Sequence, residues 1–272
     1  MERYDNTHWL THFVHPSKEH LASDFSLEEI RSIMNGKGGS FEVLKKILRD
    51  GLLLCGWSLR NNKRTIYGPR PAICFTEMPL AALYEYVETR GNFASGYGIA
   101  FLKAELFEAG ARPVIYGLTD KSEEAKIGDE FYLEGFRNLS SDSGLSQNEQ
   151  YRYVATSFKK KQIDWTHERE WRWADNLMWL EDDNIQGLPF CFSPAPPQYN
   201  FSKIVVLVKK ISEKNELLAL TSSLSESKSV TIIGTDHSQK QLQKIKILAA
   251  DEWRAKDKIY TKLEDLESLG RI

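Results

Sequence analysis

The richest chemistry in this chain lies in His167-Glu168-Arg169-Glu170-Trp171-Arg172-Trp173. Side chains alternate between the faces of an extended strand, so Glu168, Glu170 and Arg172 are expected on one side and Arg169, Trp171 and Trp173 on the other. The aromatic side reads as packing. The charged side needs solvent, ion partners or a ligand. Two carboxylates two residues apart suit chemistry at a sugar, where one orients a nucleophile and the other stabilises oxocarbenium character at an anomeric carbon. A structural salt-bridge ladder is the competing reading of the same residues.

Two smaller islands accompany it. In Cys74-Phe75-Thr76-Glu77-Met78-Pro79-Leu80 a Thr-Glu pair follows an apolar run. The pair either caps the next helix or sets a hydroxyl at a strand end, where it can orient a ligand. The third island is Thr11-His12-Phe13-Val14-His15-Pro16. His8, His12 and His15 have a helical ligand spacing, but Pro16 and the β-favouring residues around them predict a strand. No metal is expected there, and a histidine on a strand commonly serves as a satisfied structural residue.

Several elements must position these islands. Trp9 to Val14 predicts a first strand. Ser26-Leu-Glu-Glu29 fits a capping box for a helix near 26–35, closed by Gly36, Gly38 and Gly39. Ser40 caps a second helix that shows Phe41, Leu44, Ile47 and Leu48 on one face and stops at Gly51. Further strands are expected at 71–76, 98–102, 113–116, 168–173, 204–208, 230–233 and 244–248. Helices are expected from Pro79 to about 87, over 125–158, over 213–223 and from about Ser238. The unbroken apolar run Ile204-Val-Val-Leu-Val208 predicts a strand buried on both faces. Pro189, Pro194, Pro196 and Pro197 mark residues 178–201 as a loop. The expected organisation is a single α+β domain over 1–272, with that proline-rich loop and a C-terminal α/β extension over 202–272.

Composition sets the outer limits. The chain has 272 residues and a formal net charge of -2, so bulk attraction to nucleic acid is not expected. Lys159-Lys160-Lys161 is the sharpest basic run and reads as a solvated segment. Three separated cysteines, Cys55, Cys74 and Cys191, give neither a zinc motif nor a disulfide framework. The start Met1-Glu-Arg-Tyr-Asp lacks an apolar signal core, and no stretch reaches membrane-span length, so a cytoplasmic location is expected. Neither a dinucleotide fingerprint nor a phosphate-binding P-loop follows any strand.

Read in order, the islands resemble a known group. Thr11-His12-Phe13, followed by Phe41-Glu-Val-Leu-Lys-Lys-Ile-Leu-Arg-Asp-Gly-Leu52, resembles the opening of NAD-using ADP-ribosyltransferase-like domains. Residues 16–39 then form an insertion. Ile73–Leu80, Tyr97–Lys103, Ala111–Tyr116 and Glu168-Arg-Glu-Trp-Arg172 resemble the AbiGi abortive-infection family more specifically. The resemblance spans residues 8–175 and implies split β-sheets flanked by helices. It implies NAD as substrate, with His12 holding the ribose and amide and Thr76 in the middle-strand hydroxyl position. It makes Glu170 the catalytic carboxylate and Glu168 its substrate-orienting partner. Arg112 or Arg172 then pairs with the pyrophosphate. The tyrosine of this site stays open among Tyr67, Tyr84 and Tyr97.

Two functions follow from the resemblance. One is a transferase that uses NAD to modify a macromolecular acceptor, nucleic acid or protein. The other is a catalytically inactive module or antitoxin that grips a cognate toxin or a phage component, with Trp171, Trp173 and Trp179 as interface anchors. The state of Glu170 discriminates them. Glu170 and His12 lining one open pocket suits the enzyme, and a Glu170 buried in a salt bridge suits the module.

Overall fold

The structure, a computed structural model, describes residues 7–15, 39–60, 63–83, 85, 96–118, 122–124, 137–139, 143–156, 165–174, 187–190, 192–193, 199–226, 230–232, 235–237, 239–240, 245–253 and 263–264. The chain divides into two compact units. The first comprises Met1–Leu53, Glu77–Ala109 and Pro189–Ile272, and the second comprises Leu54–Thr76 and Gly110–Leu188.

In the first unit the apolar run Ile204–Val208 lies between two strands. It pairs antiparallel with Gly98–Leu102 and parallel with Ile245–Ala249. Ile204, Val205, Val206 and Val208 are all buried, as a strand covered on both faces requires. Trp9–Phe13 runs antiparallel to Gly98–Leu102, with Trp9 opposite Leu102 and His12 opposite Ile99. A Cβ at Gly98 would come within 3.0 Å of Thr11 Cγ2 and 3.1 Å of the His12 carbonyl oxygen, so the glycine lets these strands approach. Trp9, Leu80, Ala100, Val205, Leu248 and Leu263 form one core cluster.

Two of this unit's helices follow their sequence signals. Ser40–Asp50 buries Leu44 and Leu48 and ends at Gly51, whose φ of 69° lets its N–H reach the Ile47 carbonyl at 2.8 Å. Gly39, not Ser40, occupies the capping position, and Ser40 is the first helical residue. Ile211–Glu226 is longer than the expected 213–223. Its first turn is fixed by Glu213, whose carboxylate accepts the N–H groups of Lys209 and Lys210 and the Tyr97 hydroxyl at 2.8 Å. The expected 26–35 helix and the Lys159–Lys161 run lie outside the described residues. So does most of the 178–201 loop, within which Gly187–Pro189 and Phe192–Ser193 are strand. Of the helix expected from Ser238, the described residues Gln239–Lys240 are strand.

The second unit centres on Glu170–Trp173, which pairs antiparallel with Ile73–Thr76 on one side and with Arg112–Pro113 on the other. Ile115–Leu118 pairs in parallel with Tyr153–Thr156, and Ser122–Glu124 antiparallel with Arg137–Leu139. Leu59–Arg60 and Lys63–Arg64 form a short hairpin. Tyr153 lies so close to Gly117 that a Cβ there would fall 2.2 Å from the tyrosine hydroxyl. Ile66, Ala72, Tyr151 and Ala174 make one cluster; Tyr67, Leu139 and Tyr153 make another.

Two expectations fail in this unit. The 125–158 helix is absent from its described residues, which hold the strand Arg137–Leu139, a 3₁₀ helix Gln147–Arg152 and the strand Tyr153–Thr156. Gly144 has a left-handed φ of 73°, and the Gln150 side chain takes the Leu139 N–H at 2.9 Å, so local side-chain bonding outcompetes a helix. The 168–173 strand begins only at Glu170, because Thr166–Glu168 is a 3₁₀ turn. Mixed α+β character with mainly antiparallel pairing agrees with the expected class. No described helix is long and apolar enough to cross a membrane.

Burial decides the first expected outcome. Ile204→Ala empties a fully buried site and is expected to cost about 2–5 kcal/mol. Ile211→Ala, at 47 % exposure, is expected to stay within about 0.5 kcal/mol. Urea denaturation followed by circular dichroism measures both, and equal effects would contradict the assigned core.

Candidate functional site

The site is built around a chain reversal. The Arg169 N–H reaches the Thr166 carbonyl and the Glu168 N–H reaches the Trp165 carbonyl, closing the turn. Arg169 then takes a left-handed conformation, φ 45° and ψ 51°, which a non-glycine residue adopts only at some cost. That residue separates Glu168 from the strand, so Glu168 and Glu170 do not share a strand face. The Thr76 hydroxyl donates to the Glu168 carbonyl and ties the neighbouring strand to the turn.

From Glu170 onward the register sets the neighbours. Glu170 stands opposite Thr76 and Arg172 opposite Cys74, so these four residues share one face. Arg172 is almost wholly buried, and its side-chain partner Glu170 is 12 % exposed. The Arg172 Nε donates to Glu170 Oε1 at 2.7 Å and Nη2 to Oε2 at 3.3 Å. Nη1 donates to the carbonyls of Tyr151 at 2.6 Å and Tyr153 at 3.2 Å. All three guanidinium nitrogens are therefore engaged within the protein. Those carbonyls lie where the 3₁₀ helix Gln147–Arg152 passes into the strand Tyr153–Thr156.

The electrostatics follow from this clamp. Burial opposes the charge on Arg172, but the Glu170 carboxylate outweighs it and raises the pKa. Cys74 is pushed well above the ordinary thiol range, first by burial and then by the Glu170 charge. It is held as a thiol, which is a poor nucleophile. The Tyr116 hydroxyl accepts the Glu170 N–H at 3.0 Å. Burial, assisted by the charge of Glu170, pushes this phenol up to about 12.

The remaining candidates are distributed as follows. Arg112 pairs in register with Arg172 and donates Nη1 to the Ala111 carbonyl at 2.8 Å. Thr76, Arg112, Glu168, Glu170 and Arg172 all belong to the second unit, and His12 lies on the Trp9–Phe13 strand of the first. Of the three tyrosines considered, Tyr97 bonds Glu213 in the first unit, Tyr67 meets Tyr153 edge-on, and Tyr84 is outside the described residues. Sequence reasoning missed the tyrosine that reaches Glu170, although Tyr116 closes the Ala111–Tyr116 motif. It also missed Arg70, which donates to the carbonyls of Asn148 and Ala174 and covers the Tyr151 ring at 4.9 Å. Among the described residues no group of three or more His, Cys, Asp or Glu side chains is placed to hold a metal ion.

Residues 57–187 match a family described as putative abortive phage resistance protein AbiGi, antitoxin. The match covers just under half of the chain and supports the AbiGi resemblance. It runs from near the first residue of the second unit, Leu54, to near its last, Leu188, and so contains the whole clamp. No curated protein and no solved structure matches the chain.

Two outcomes test the clamp. Arg172→Met leaves the Glu170 carboxylate buried and uncompensated, and is expected to cost about 3–5 kcal/mol. Adding Glu170→Leu removes the stranded charge and is expected to restore part of that loss. Thermal melts of both variants check this; strictly additive losses would show the two residues to be independent. The second outcome concerns alkali. The folded pKa of Tyr116, about 12, lies above the ordinary 10.0, so the neutral phenol is favoured in the folded state. Its contribution is complete below pH 10.0 and is lost as pH rises toward 12. Tyrosinate absorbance at about 295 nm should lose one late-titrating phenol in Tyr116→Phe, while Tyr97 and Tyr151, also pushed up by burial, still titrate late.

Proposed function

We propose that the chain acts in abortive phage resistance as an antitoxin, a module that works by holding a partner toxin polypeptide. One observation carries this reading. Both carboxylate oxygens of Glu170 are occupied by Arg172, whose third nitrogen is bound to backbone carbonyls. A catalytic carboxylate gains its effect by facing the place where positive charge develops on substrate. Glu170 instead faces a permanent internal cation, and the pair fixes the turn and strands around it. The family description of residues 57–187 points the same way. The net charge of -2 favours a polypeptide over a polyanion as the thing held.

The alternative is the NAD-using transferase, in which Glu170 and Glu168 act on a dinucleotide held by His12, Thr76 and Arg112 or Arg172. The two readings diverge in one experiment. On co-expression with its candidate toxin the chain is expected to restore growth. Incubated with NAD, the purified chain is expected to release no nicotinamide above the uncatalysed rate. Glu170→Gln should lower the melting temperature and reduce neutralisation in step with the folded fraction. Sustained nicotinamide release that falls roughly 100-fold in Glu170→Gln, at an unchanged melting temperature, would overturn the antitoxin reading in favour of the transferase.

A further inference from the structure

A second arginine of the same unit is held like Arg172, but among the described residues no carboxylate bonds it. Arg137 Nη1 donates to the Arg64 carbonyl at 3.3 Å, as Arg172 Nη1 donates to carbonyls. Its guanidinium lies over the Tyr67 ring at 4.5 Å. Tyr67 and Arg137 are bridged through the backbone, and the Gly68 N–H reaches the Arg137 carbonyl at 2.7 Å. The position is therefore fixed on three sides. Yet Arg137 Nε is buried, and among the described residues no acceptor bonds it. The Tyr67 hydroxyl, on a side chain 1 % exposed, is likewise buried with no partner among the described residues.

Buried donors without acceptors are costly, on the order of 1–3 kcal/mol each, and mark places where a ligand completes the structure. The Nε and Nη2 edge of a guanidinium is a planar fork that matches a carboxylate with two parallel hydrogen bonds. In this unit the same edge of Arg172 is filled in that way by Glu170.

We propose that the Arg137 fork, with the Tyr67 hydroxyl, is a carboxylate-binding site that receives an acidic side chain of the bound partner polypeptide. The identity of the donor rests on the antitoxin reading. The carboxylate site itself does not, so the two are tested separately. Glu124, which stands opposite Arg137 in its ladder, is the internal carboxylate that the test must distinguish.

The probe is a blocked triglutamate peptide, titrated into the full-length isotope-labelled chain. The arginine Nε–H signals and the backbone amides of Gly68 and Asn138 are followed by nuclear magnetic resonance. One arginine signal and both amides should shift saturably, with half-saturation on the order of 1–10 mM. Arg137→Lys keeps the charge but not the fork, and should weaken the response at least about tenfold at an unchanged melting temperature. Tyr67→Phe should weaken it about threefold to tenfold. No response in the parent chain, or an equal response in Arg137→Lys, would overturn the site. A response that emerges only in Glu124→Gln would overturn it too, because the fork would then be filled internally. An oligothymidylate that shifts the same signals at lower concentration than the peptide would assign the fork to phosphodiesters and overturn the carboxylate. If the peptide behaves as expected but Arg137→Lys neutralises the toxin fully, the assignment to the partner fails while the site stands. If the chain neutralises no toxin at all, the antitoxin reading fails on its own account.

Discussion

A guanidinium taken out of water requires a counter-charge and an acceptor at each of its nitrogens. Arg172 meets both demands, and the second unit is arranged around how it does so. The counter-charge comes from Glu170, two residues earlier on the same strand face. The acceptors come from Tyr151 and Tyr153, at the junction of a 3₁₀ helix and a strand. The junction must therefore pass beside the strand, and the strand must start where Glu170 can turn inward. The left-handed Arg169 and the Thr76 bond to the preceding turn fix that starting point. Cys74 stays a thiol for the same reason, since it shares a buried face with a carboxylate.

The first unit depends on a different constraint. Its strand Ile204–Val208 has no polar face, so it is stable only with a neighbour on each edge and cover above and below. Gly98–Leu102 and Ile245–Ala249 supply the edges. Phe101, on the first of these, packs against the rings of Phe190 and Phe201 at 5.8 and 4.9 Å. Apolar packing surrounds this strand, whereas the second unit is organised about the Glu170–Arg172 ion pair.

That contrast explains what could be read from sequence. Ile204–Val208 was legible because five consecutive apolar residues have few other solutions. Ser40–Asp50 was legible because its apolar spacing and its terminal Gly51 agree. The region before Thr156 was misread as helix, because the decisive interaction is one side-chain bond, Gln150 to the Leu139 N–H. No periodicity announces a bond of that kind. In the candidate site, strand alternation correctly set Glu170 and Arg172 on one face, but it also placed Glu168 there. A single backbone conformation at Arg169 reversed that, and arginine is not a residue type that signals a left-handed turn. Tyr116 escaped notice because its contact with Glu170 runs through a main-chain N–H, which carries no residue identity.

Gly117 shows where such unsigned requirements lead. It contributes no functional group, and the space its missing side chain leaves is filled by the Tyr153 ring. The backbone of that tyrosine supplies one of the acceptors of Arg172. A single hydrogen in place of a methyl group thus makes room for the residue whose carbonyl the ion pair uses. Catalogues of charged and aromatic side chains will pass over this residue. Yet its clearance dictates how large its neighbours can grow, and any redesign of the unit inherits that dimension.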